Sequence, residues 1–268
     1  MGIMRGITIG SHYPVASLLH RLDPRTKILS SLFFMVALLW AANPVQIALI
    51  ALFSAVAVAL SRLPLPLLFG GLMPLRYIVI LTVLLHSLMT TGGSIVFSWW
   101  RITVWQTGVA TGFLMSLRLV LMVLTTSLLT LTTSPIVLTD GLERLMGIFQ
   151  PLGFPAHEVA LMITMALRFV PTLLDEGDKL AKAQMARGVN FDRGNLFVRL
   201  RAMIPLLVPL FIGAFRRADD LALAMQARCY NGGVGRGHFR ELHFGAGDIA
   251  VVVISALFLI AVILVGGK

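Results

Sequence analysis

Apolar runs of about fifteen residues, cut at Pro and Gly, dominate this chain and leave it few environments in which to fold. Residues 28–42 are almost wholly apolar, Asn43-Pro44 makes a turn, and 45–60 runs back. Residues 75–89, 106–132 and 249–265 form three more such runs. Hydrocarbon offers the backbone no hydrogen-bond partners and a helix satisfies its own, so these read as about five transmembrane helices, the shorter ones near the lower limit for crossing ~30 Å. Composition agrees: 57% of residues are hydrophobic and 13% charged, against roughly 25% charged in a soluble domain. In a polar chain the net charge of +10 would point to nucleic acid. With a mean hydropathy of +0.90, retention of basic residues on the cytoplasmic side explains it, and no nucleic-acid partner is expected.

The breaks place the remaining features. Asp23-Pro24 starts the first long helix, with Asp as N-cap and Pro at the first helical position. Pro64, Pro66 and Gly70-Gly71 make 62–74 a loop or a half-embedded segment. After Gly92-Gly93, Trp99, Trp100 and Trp105 mark a membrane–water interface, and Arg118 must face protein or snorkel.

Residues 134–247 differ in character. A short amphipathic helix over 136–149 carries Asp140, Glu143 and Arg144, and 151–155 is a turn. Two long helices follow, over 156–187 and 195–229, each on the order of 50 Å and bent where Pro171, Pro205 and Pro209 fall. As a transmembrane hairpin they would leave Lys179, Lys182, Arg187, Arg193, Arg199 and Arg201 outside, against the positive-inside bias. The uninterrupted apolar core of the second, 203–215, is also short for a span. The whole region is therefore expected on the cytoplasmic side, partly sunk in the interface. The divisions are then 1–133 with four spans, 134–247, and 248–268 with the last span. Arg21, Arg25 and Lys27 keep the N-terminus inside, and five spans put the C-terminus outside.

The two long helices end alike. Ala183-Gln184-Met185-Ala186-Arg187-Gly188-Val189-Asn190 nearly repeats as Ala224-Met225-Gln226-Ala227-Arg228-Cys229-Tyr230-Asn231. One Arg near a helix C-terminus ordinarily complements the dipole. Two in matched octets point instead to two docking points, where a guanidinium meets a carboxylate on another protein.

No catalytic apparatus stands out. Asp219-Asp220 could hold a divalent metal and a diphosphate, but a third acid at helical spacing is missing, and ion pairing with Arg216 and Arg217 on the same helix is the plainer reading. His12, His20, His86, His157, His238 and His243 show no ligand spacing. Gly232-Gly233-Val234-Gly235-Arg236-Gly237 follows no strand and lacks the P-loop Lys. The lone Cys229 excludes disulfides within the chain and a multi-Cys metal site. Two other classes remain as alternatives. A self-contained secondary transporter would need ionisable groups at the midplane, where only Arg118 and His86 qualify in the first four spans. An intramembrane metal-dependent transferase would need Asp219 and Asp220.

Over essentially its whole length the chain resembles the transmembrane T component of energy-coupling factor transporters, of the shared-module type. The residues that carry the resemblance are Ser17-Leu18-Leu19-His20-Arg21-Leu22-Asp23-Pro24-Arg25-Thr26-Lys27, Ala186-Arg187-Gly188, Ile204-Pro205-Leu206-Leu207-Val208-Pro209-Leu210, Phe215-Arg216-Arg217-Ala218-Asp219-Asp220-Leu221-Ala222-Leu223-Ala224-Met225 and Ala227-Arg228-Cys229. It implies an all-α integral membrane protein of the bacterial plasma membrane with one short and two long, crossed cytoplasmic coupling helices. It also implies a non-catalytic scaffold of an ATP-driven vitamin or micronutrient importer. Two ABC-type ATPases would dock at Ala186-Arg187-Gly188 and Ala227-Arg228-Cys229, and a substrate-binding S component would rest in the membrane against the chain. Pro205 and Pro209 would be the hinge of the coupling helices. ATP and Mg²⁺ would be bound by the ATPases, and no cofactor by this chain. The family's second tripeptide normally ends in Gly; Cys is less permissive of a left-handed helix terminus, so the two docks are expected to differ at Cys229.

Overall fold

The computed structural model describes residues 13, 15, 17–99, 102–148, 155–189, 191, 195–232 and 244–266. It is almost entirely helical and divides into two compact units, residues 10–142 with 241–268, and residues 143–240 with 1–9.

The first unit contains α1 (Leu18–Arg21), α2 (Pro24–Trp40), α3 (Pro44–Ser61), α4 (Leu65–Leu72), α5 (Arg76–Met89), α6 (Gln106–Thr132) and α10 (Ala246–Gly266). Its core is small and central: Phe34, Ala37 and Leu38 of α2, Ile47 and Ile50 of α3, Leu121 of α6 and Val262 of α10. Phe34, Phe53 and Phe258 stack beside it, the last two with centroids 4.4 Å apart. Outside this seam large apolar side chains such as Ile80, Leu84, Leu257 and Leu264 are exposed, as lipid-facing helices require. Small residues bring α5 and α6 together: a Cβ at Gly108 would lie 2.7 Å from the His86 carbonyl, and one at Gly112 3.1 Å from Val83 Cα. This is the close backbone approach by which helices associate without a hydrophobic driving force.

Polar groups close the unit at both ends. At one end Asp23 accepts from the Arg25 N–H (2.9 Å), while its own N–H donates to Asp248 Oδ1 (2.8 Å). Asp248 Oδ2 accepts from the Gly245 N–H (3.0 Å) and so caps α10. The buried Lys27 Nζ donates to Thr132 O (3.2 Å) and His20 O (3.4 Å), carbonyls left open at the ends of α6 and α1, where a cation suits the helix dipole. At the other end Gln46, fully buried, accepts from the Ala42 and Asn43 N–H groups and donates to Val262 O (2.7 Å). Arg118 faces protein and donates to Ala41 O.

Two expectations need correction. Of the two readings of 62–74, loop or half-embedded segment, the loop holds only over 62–64: from Leu65 α4 runs through a 3₁₀ turn at Met73–Leu75 into α5, so Pro66–Met89 is one apolar stretch long enough to cross a membrane. Pro64 and Pro66 fall at its start, where a missing N–H costs nothing. The segment before α6 is not a plain connection either. β1 (Ile95–Trp99) and β2 (Ile102–Trp105) pair antiparallel, with Ser98 opposite Thr103 and Trp99 opposite Ile102. Aromatic and β-branched residues fill both strands. Ser94 Oγ donates to Gln106 Oε1 (2.5 Å), tying the hairpin to α6. Trp100 lies outside the described residues.

The second unit contains the end of α7 (Pro135–Met146), then α8 (Ala156–Ala186) and α9 (Leu196–Ala227). α8 continues through Pro171, and α9 through Pro205 and Pro209. His157 Nδ1 lies 2.8 Å from Glu143 Oε1. By length and composition alone, six helical stretches among the described residues could span a membrane, against the about five expected. α8 and α9 enter that set because their helices carry on past the apolar cores, whereas α2, with 17 residues, reaches only ~26 Å.

Candidate functional site: two arginine-ended helices

α8 and α9 stop in the same way, bond for bond. At the end of α8 the Arg187 N–H reaches the Ala183 and Gln184 carbonyls, the Gly188 N–H donates to Met185 O (3.0 Å), and the Val189 N–H to Gln184 O (3.0 Å). At the end of α9 the Arg228 N–H reaches Ala224 and Met225, the Cys229 N–H donates to Gln226 O (2.9 Å), and the Tyr230 N–H to Met225 O (3.0 Å). The six-to-one bond from the second residue beyond the helix, with a left-handed residue before it, is a Schellman terminus. Gly188 supplies that residue in α8 at φ +90, and Cys229 in α9 at φ +56.

The expected backbone difference at Cys229 is therefore absent. The hydrogen-bond pattern holds Cys229 in the left-handed region, at a cost of about 1–2 kcal/mol that Gly188 avoids. Cys229 is exposed.

Each cap leaves its arginine in the open. Ala186, Arg187, Gly188, Ala227 and Arg228 are all exposed, and neither guanidinium has an acidic partner among the described residues. An extended, always-charged fork on a fixed helix end is suited to a carboxylate that another molecule supplies. Asn190, the last residue of the first octet, lies outside the described residues. Pro205 and Pro209 are exposed on α9; spaced by four residues, they remove two successive helical hydrogen bonds from one side of the helix.

Three further placements bear on function. Arg217 does not pair within its own helix as expected: its Nη2 donates to Glu176 Oε2 of α8 at 2.6 Å. Asp219 and Asp220 make no ion pair with described residues. Spacing within one helix marks only neighbours three and four residues away, whereas Glu176 lies 41 residues before Arg217, the offset that separates the octets. His20 bonds Ser17 Oγ (2.7 Å), and His86 lies 3.0 Å from its own helix's Thr82 O, both local helix contacts. Among the described residues no three His, Cys, Asp or Glu side chains are grouped to hold a metal ion; His12, His238, His243 and most of the Gly-rich stretch after Gly232 lie outside them.

Comparison with known proteins agrees with this architecture. The profile of a family described as Cobalt transport protein (CbiQ) matches residues 16–239. The Energy-coupling factor transporter transmembrane protein EcfT of Acidaminococcus fermentans is 49% identical over 259 residues, 96% of either chain. The proteins of that name from Brevibacillus brevis (46%, covering 97% of this chain and 98% of its own) and Bacillus subtilis (47%, covering 94% and 95%) are similar. An apolar six-candidate helical fold matched end to end by these relatives leaves one assignment: the chain belongs to the EcfT family, the multi-pass transmembrane components of energy-coupling factor transporters.

Proposed function

We propose that this chain is the non-catalytic scaffold that couples two cytoplasmic ABC-type ATPases to a substrate-binding S component in a bacterial plasma membrane. Residues 134–247 lie on the cytoplasmic side in this reading, and the C-terminus outside. ATP and Mg²⁺ belong to the ATPases. α8 and α9 carry the motion, Pro205 and Pro209 let α9 flex, and the S component, resting on the apolar helices, brings the vitamin or micronutrient.

The observation that supports this most is the pair of matching helix ends, each presenting an exposed arginine with no acidic partner among the described residues. Two equivalent plugs suit two related sockets. A protein doing its own chemistry has no use for such a pair, and a secondary transporter has none either.

The test is co-purification. Arg187→Glu and Arg228→Glu are each expected to weaken ATPase retention about tenfold or more, because reversing one partner of a desolvated charge pair costs several kcal/mol. The double variant should retain neither ATPase. Full retention by the double variant, with transport intact, would rule the docking reading out.

A further inference from the structure

The likeness between the two helices does not stop at the octets. Under the same 41-residue shift Asp178, Leu180 and Ala181 fall on Asp219, Leu221 and Ala222. Continued two residues further back, the shift sets Glu176 against Arg217, and these two side chains are the ones that meet between the helices, 41 residues apart. Gly213, one turn before Arg217 on α9, faces the same carboxylate: a Cβ there would sit 3.3 Å from Glu176 Oε1. A side chain there would have to displace that carboxylate by a few tenths of an ångström.

The lengths on either side of this contact match. Eleven residues separate Glu176 from Arg187, and eleven separate Arg217 from Arg228, about 16 Å of helix on each. Both side chains of the pair are about one-third exposed (32% and 31%), so it adds little to stability. What a 2.6 Å charge-assisted bond supplies is register: it opposes sliding of α9 along α8 at one point and leaves rotation about that point open.

The geometry points to a fulcrum. Glu176, Gly213 and Arg217 are positioning residues that pin α8 to α9 equidistant from the two docking arginines, so that movement of one helix end is returned at the other with equal amplitude. This rests on the docking reading of Arg187 and Arg228, and it adds that the two docks form one lever and are not independent.

The test uses the full chain in lipid nanodiscs without ATPases, spin-labelled at native Cys229 and at Val189→Cys, with the end-to-end distance read by pulsed electron resonance. The parent pair gives one narrow distance. Glu176→Gln or Arg217→Gln broadens it roughly twofold, and the exchanged pair Glu176→Arg with Arg217→Glu narrows it again. Gly213→Leu, which changes no charge, lengthens the mean distance. In complexes isolated with their ATPases, Glu176→Arg or Arg217→Glu keeps both ATPases bound but lowers Mg-ATP hydrolysis about tenfold, and the exchanged pair restores it. An unchanged width in both Gln variants, or an exchanged pair that restores neither width nor hydrolysis, overturns the fulcrum. ATPases that stay on the chain carrying Arg187→Glu and Arg228→Glu overturn the docking reading instead, and the distance measurement is untouched by that result.

Discussion

Cys229 holds a side chain in the same left-handed backbone that Gly188 adopts freely, and the two sites invite opposite substitutions. Gly188 has open space where a Cβ would go, so Gly188→Ala meets no clash and pays only for its dihedral angle. It is expected to weaken the last turn of α8 by about 1 kcal/mol, seen as roughly fivefold faster amide exchange at Val189. Cys229→Gly is expected to do the reverse at Tyr230, slowing exchange by about two- to fivefold. Exchange unchanged at both amides would mean that the caps are not held by the Schellman bonds. The repeat made Arg187 and Arg228 legible from the sequence, because residue type and spacing suffice to mark a helix end. What Cys does at φ +56 was not legible, because permissiveness sets a cost and leaves the outcome to hydrogen bonds several residues away.

Elements were legible where their period was long and were missed where a breaker misled. The turn over 151–155 and the two Ala-Arg ends placed the long helices within a few residues of Ala156–Ala186 and Leu196–Ala227. Pro64, Pro66 and the Gly pair masked α4, since a breaker at a helix start looks like a breaker within it. The hairpin escaped because strands of four and five residues between two apolar helices offer little alternation to read. At this scale the α5–α6 seam makes the clearest forecast. Gly108→Leu drives a side chain into the His86 and Thr90 carbonyls, at 2.7 and 3.0 Å from Cβ alone. Its cost is expected to reach about 3 kcal/mol or more, with loss of the monodisperse peak in size-exclusion chromatography. Gly70→Ala, where nothing lies within 4 Å, should elute like the parent. Equal behaviour of the two would refute close packing at Gly108.

For the molecule as a whole, the bilayer side of each end is open to direct chemistry. In the proposed orientation native Cys229 faces the cytoplasm and Ser94, exposed beside the hairpin, faces outward. A membrane-impermeant maleimide applied to intact cells that express the chain alone should label Ser94→Cys. Cys229 should react only after permeabilisation. Labelling of Cys229 from outside would invert the topology. The sequence located the basic residues that argue for this orientation, but not how the first unit closes on itself, since nothing local announces that Asp23 and Asp248 will meet.

That closure governs how the chain is made. The Asp23 N–H finds its acceptor 225 residues later, and Gln46 Nε2 finds Val262 O 216 residues later. Synthesis runs from the N-terminus, so α2 and α3 enter the bilayer with both donors still waiting. Unpaired polar groups in such surroundings are costly, and contacts this distant in sequence form late. α10 is therefore the piece that completes the first two long helices. A chain interrupted before residue 246 leaves the ribosome with both donors still lacking their acceptors.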